Sequence, residues 1–129
     1  MVLAPIRELE LDFAKIYFYE TYVVCKIYDS IVIDTAKVIS LHEVYREFYG
    51  KKKYGYIFDR TSNYTINIIA YMHCPFYADV SSFVMVAPNK ETKKTIKYEE
   101  IFSLVPLKIF DTMYEAQHWM ELENQIKGS

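Results

Sequence analysis

The sequence predicts an α/β fold, a mixed sheet with antiparallel N-terminal strands followed by βαβα repeats. Three observations predict it. The first thirty residues contain three strand-sized runs and no helical stripe. From residue 34 onward, apolar stripes of period 3.6 alternate with short continuous apolar runs, the pattern of helices packed on a buried sheet. Only three glycines and four prolines punctuate 129 residues, too few for a loop-rich or repeat-built chain. Strands alternating with helices imply right-handed crossovers and a largely parallel sheet after the opening.

Taken in order, residues 7–12 alternate Glu and Leu with period 2 and read as a solvated edge strand. Residues 16–19 and 22–28 read as two further strands around Glu20 and Thr21, so a hairpin or meander opens the fold. Asp34 is placed to cap a helix by accepting from first-turn amides. Val38, Leu41, Tyr45 and Phe48 then follow at spacings of three and four, and Gly50 supplies a stop. Residues 54–58 form a buried strand, residues 59–63 a polar loop, and the next segment a helix carrying Ile66, Ile69 and Ala70, ended by Pro75 near His73 or Cys74. Between residues 66 and 77, however, Ile-Asn-Ile-Ile suits a strand nearly as well as a helix.

Residues 82–87 (SFVMVA) are a continuous apolar run, as in a strand covered on both faces. After the Pro88-Asn89 turn comes a Lys-rich helix with Tyr98, Ile101 and Phe102 as its expected buried side. Residues 106–110 give a last strand. Thr112 and Glu115 have the spacing of a capping box for a final helix with Met113, Ala116, Trp119 and Met120 inward.

Composition bounds the function classes. One domain is expected for a chain of this length, 52% of it hydrophobic, and disorder is excluded as its general state. A net charge of −2 gives no bulk attraction to nucleic acid or acidic membranes, and no nucleic-acid partner is expected. No apolar run approaches the ~20 residues of a membrane span, and the first residues lack the pattern of a secretory signal. A cytoplasmic location is expected, with Cys25 and Cys74 as reduced, mostly buried thiols. The 13 tyrosines have two readings, core filler at strand and helix spacing or a stacking platform.

Several strings carry a family likeness: LDFAKIYFY followed by YVVCKI, then KKKYGYIFDRTSNYTI, SFVMVAPN and the closing IFDTMYEAQHWM. In these and in its layout the chain resembles the SpoIIAA-like (STAS/Sec14-type) small bacterial domains, over a core of about residues 9–122 within one domain of residues 1–129. The resemblance implies a regulatory module. In the best understood STAS relatives, a Ser or Thr at a strand-to-helix corner, in an Asp-Ser-Ser/Thr-Gly-type motif, is phosphorylated by a partner kinase. The added charge breaks a protein–protein interface. Here the corner reads Asp59, Arg60, Thr61, Ser62, Asn63 and Tyr64, with Arg60 intervening and no glycine. The Sec14 side of the family implies a carrier of lipid-like ligands.

The same corner is the candidate site on position alone, because ligands bind beyond the carboxyl ends of strands in open α/β sheets. Thr61, Ser62, Asn63 or Thr65 would cap the following helix. Alternatively the loop is an anion or partner site, with the helix's free amides and the fork-shaped Arg60 cation as donors. Other chemistry is poorly supplied. The histidines, His42, His73 and His118, have no metal spacing, Cys25 sits within a buried strand, and three glycines make no phosphate loop. Lysine clusters at residues 51–53 and 90–97 read as solvated helix ends and faces, and Glu99 and Glu100 diverge on their helix.

The expectation is therefore a non-enzymatic interaction or regulatory module, self-associating as a homodimer and meeting a regulatory protein partner, with no cofactor. The alternative is a carrier or sensor of a small apolar ligand held between the sheet and residues 66–77.

Overall fold

The computed structural model describes residues 3–72 and 78–127; His73, Cys74 and Pro75, assigned above to a helix end, lie outside them. The chain opens with β1 (Arg7–Glu10), β2 (Ala14–Phe18), β3 (Tyr22–Ile27) and a two-residue β4 (Val32–Ile33), then α1 (Thr35–Tyr49). Next come β5 (Tyr54–Asp59), β6 (Thr65–Ile66), α2 (Ile68–Met72), β7 (Val80–Val86), α3 (Lys90–Glu100), β8 (Leu107–Phe110) and α4 (Met113–Lys127).

Six strands form one mixed sheet in the order β1-β2-β3-β5-β7-β8. The first two pairings are antiparallel and the remaining three parallel, as the alternation predicts. Strand order never reverses, so successive right-handed crossovers lay α1, α2 and α3 on one face. Among the described residues, α4 alone covers the other. Alternate residues of the central strands serve the two faces. Cys25, Tyr56 and Met85 join the core beneath α1–α3, while Val24, Ile57 and Val84 join the core beneath α4.

Local chemistry explains the boundaries. Asp34 caps α1 by accepting from the Lys37 amide at 2.9 Å. Gly50, at φ 64° and ψ −123°, takes a positive-φ conformation open to glycine that ends α1, and its N–H donates to the Arg46 carbonyl. Gly55 serves a different need, close approach: a Cβ there would lie 2.2 Å from the Met120 sulfur of α4. Thr112 accepts from the Glu115 amide at 3.1 Å, the main-chain half of the expected capping box.

Two expectations need correction. The loop after β5 does not run into a helix. Thr65 and Ile66 form β6, paired in parallel with Val32 and Ile33 of β4, and α2 has five residues. The buried side of α3 is Ile96 and Glu99, while Tyr98 and Ile101 are 54% and 73% exposed. The helix is turned so that a carboxylate faces inward, because a buried cation awaits it.

The tyrosines are predominantly core. Tyr22, Tyr45, Tyr54 and Tyr56 rank among the largest fully buried side chains. Tyr45 meets Tyr56 edge-on, with hydroxyls 2.8 Å apart, and Tyr49 stacks on Tyr54 while its hydroxyl donates to the Tyr19 and Tyr22 carbonyls. Among the described residues, no helix is long and apolar enough to cross a membrane.

Candidate functional site

The corner at the carboxyl end of β5 is laced together before any ligand is considered. Asp59, the last residue of the strand, accepts through one carboxylate oxygen from the Thr61 amide at 3.0 Å and the Thr61 hydroxyl at 2.6 Å. This Asx turn reverses the chain out of the sheet. The Ser62 hydroxyl donates to the Ile27 carbonyl at the end of β3. The Asn63 amide donates to Asp29 at 2.7 Å, and the Ser30 amide returns a bond to the Asn63 carbonyl at 2.8 Å. Ser30 adopts φ 65°, a left-handed conformation uncommon outside glycine, to make that return bond.

Arg60 points inward. Its guanidinium places Nη1 2.7 Å from Oε1 of Glu99 and Nη2 3.2 Å from Oε2, a two-pronged pair with both side chains at least 96% buried. The Tyr71 hydroxyl of α2 donates to the same carboxylate at 2.8 Å, and the guanidinium lies 4.8 Å above the Tyr64 ring. Burial works against the arginine's charge, but Glu99 together with Tyr64 and Tyr71 outweighs it and holds the guanidinium more firmly protonated than usual. Three elements, the end of β5, α2 and α3, are thus tied at one buried point.

Outside this tie lies a cleft of about 330 Å³. The loop side contributes Thr61, Ser62, Asn63 and Thr65; α3 and its cap contribute Asn89, Glu91, Thr92 and Thr95 from across the crevice; Arg60 and Tyr64 are its buried floor. Its position follows from topology: β5 and β7 are parallel neighbours, so the chain segments leaving their carboxyl ends face each other.

Five of the six residues singled out in the sequence, Arg60, Thr61, Ser62, Asn63 and Tyr64, therefore line one crevice, with Asp59 outside the lining and bonded to Thr61, though not in the arrangement expected. None of the loop residues caps a helix; the α2 terminus is held by Asn67, which accepts from the Ile69 amide at 3.0 Å. Nor is Arg60 a cation waiting for an anion, since Glu99 occupies its fork. The α3 wall and Glu99 were missed. A signal for the wall was present in the Pro88-Asn89 turn, which ends the strand neighbouring β5 and precedes a Thr-containing first turn.

The remaining reactive groups are quiet. Burial pushes the Cys25 thiol up to about 12 and raises Tyr45, Tyr56, Tyr64 and Tyr71, keeping all of them neutral. The buried Tyr64 hydroxyl has no hydrogen-bond partner. His42 is 2.6 Å from Asp79 and ties α1 to the start of β7, and His118 stacks on Tyr114. Among the described residues, no group of three or more His, Cys, Asp or Glu is placed to hold a metal ion. Compared with family models, curated proteins and solved structures, the chain matches none.

Proposed function

We propose that this chain is an interaction or regulatory module of the SpoIIAA-like (STAS/Sec14-type) kind, acting in the cytoplasm without catalysing a reaction and associating with itself. One observation carries the reading: the charged groups at the corner engage each other. Arg60, Glu99 and Tyr71 satisfy one another in the interior, leaving a rim of hydroxyl and amide groups with the Glu91 carboxylate beside them. A rim rich in groups that both donate and accept hydrogen bonds suits recognition.

Within this reading Thr61 is the better placed regulatory hydroxyl. Its side chain is exposed and bonded only to Asp59, while Ser62 is half-buried and bonded to the Ile27 carbonyl. A phosphate on Thr61 would stand against Asp59 and break the Asx turn by like-charge repulsion. Self-association draws support from the end of α3 and the turn after it, where Ile101 and Leu104 are 73% and 76% exposed, with Tyr98 at 54% on the preceding turn. It does not draw support from the tyrosine content, because the core absorbs most of that.

The test is light scattering on the purified chain, joined to affinity capture from the native host. A dimer that Leu104→Glu converts to monomer, or a partner lost on Thr61→Asp, supports the proposal. A strictly monomeric chain that retrieves no partner overturns it.

A further inference from the structure

The corner cleft contains two positive features, and each has a carboxylate built beside it. In the floor, the Arg60 guanidinium is held by both oxygens of Glu99. On the far wall, the N-terminal turn of α3 is capped by Asn89, whose side chain accepts from the Thr92 amide, and that turn carries Glu91. A carboxylate in the first turn offsets the positive end of the helix dipole. The Arg60 charge is thus compensated in the interior, and at the surface Glu91, itself 3.8 Å from Lys94, sets a carboxylate against the helix end.

What the cleft presents instead is hydroxyl and amide chemistry on two facing walls, with Asn63 and Thr65 on one side and Asn89 and Thr92 on the other. Such groups both donate and accept, and they match a ligand whose own groups do the same. The volume of about 330 Å³ falls at the lower end of the range for small-molecule sites. We propose that this cleft binds a small neutral polyhydroxyl compound of the sugar or polyol class and discriminates against anions. The assignment goes beyond the interaction reading and does not depend on self-association.

The experiment is a titration of the ¹⁵N-labelled full chain, followed by amide NMR, with D-glucose, D-ribose and myo-inositol as neutral probes and inorganic phosphate as the anion. At least one neutral probe is expected to shift the amides of residues 61–65 and 89–95 saturably. Thr92→Val and Thr65→Val, each first shown to keep the native spectrum, are expected to weaken that binding about tenfold. Phosphate is expected to leave the same amides unmoved in the native chain and to begin shifting them in Glu91→Gln. Saturable phosphate binding to the native cleft overturns the proposal, as does silence from all three neutral probes. Failure of Glu91→Gln to admit phosphate counts against charge compensation as its basis.

Discussion

The two faces of the sheet are held by different physics. Beneath α4 the contact is steric: Gly55 has no side chain, and the Met120 sulfur fills the space a Cβ would take. Ala116, Ile57, Val84 and Val86 belong to that apolar layer, and a smaller set of polar ties joins it, the buried Gln117 amide donating to the Tyr22 hydroxyl at 3.2 Å and that hydroxyl to Glu121 at 2.5 Å. Beneath α1, α2 and α3 the layer is larger and polar at its heart, with paired tyrosine hydroxyls and an internal ion pair. The lesson is where each kind of precision is needed. One helix lying on a sheet is positioned by shape. Three elements meeting at a corner are positioned by directional bonds, and the candidate site grows on that corner.

The sharpest way to break this contrast is on the polar face. Glu99→Ala leaves the Arg60 guanidinium buried and unpaired and removes the acceptor of the Tyr71 hydroxyl, so a loss of about 3–5 kcal/mol is expected in urea unfolding. On the steric face, Gly55→Ala drives a methyl into Met120 and is expected to cost about 1–3 kcal/mol. Combining it with Met120→Ala should cost less than the sum of the two changes, a non-additivity that a general loss of packing would not produce.

A pH series reads the buried groups of both faces, since Tyr22 beneath α4 is also raised by burial. Cys25 is raised by burial from 9.0 to about 12, and Tyr45 and Tyr56 are raised by burial above their usual 10.0. Between those ordinary values and the raised ones, the unfolded chain releases protons that the folded chain retains. Stability from these groups is therefore complete below about pH 9 and falls as pH rises beyond it. Thermal melts from pH 8 upward should show this decline, and Cys25→Ala should delay its onset. The smallest expected effect is a gain: Ser30→Gly relieves a left-handed residue at the stitched edge of the corner and should add up to about 1 kcal/mol.

Much of this architecture was legible locally. The Asp34 cap, the stripe of Val38, Leu41 and Tyr45, the stop at Gly50 and the strand at 82–87 each follow from patterns within a few residues. The corner was legible in position, since a polar loop after a buried strand marks a parallel strand's carboxyl end. Its internal chemistry was not. Glu99 lies 39 residues from Arg60, and no local period says that a glutamate in a Lys-rich helix turns inward. Once it does, Ile101 and Tyr98 must turn out, which is why the expected buried side of α3 was rotated. Residues 65–72 failed for another reason. The Ile-Asn-Ile-Ile run satisfies both periods, and the choice was made by β4, a two-residue strand too short to show in the pattern.

The central claim is that the corner's charges serve each other and not a ligand. A double-mutant cycle on Arg60→Met and Glu99→Leu, read by urea unfolding, tests it most directly. The account predicts that each single change costs about 3–5 kcal/mol and that the double mutant recovers most of that loss, because both members of the buried pair are then replaced by apolar groups of similar size. Losses that simply add would contradict it and return Arg60 to the role of a cation held ready for a partner.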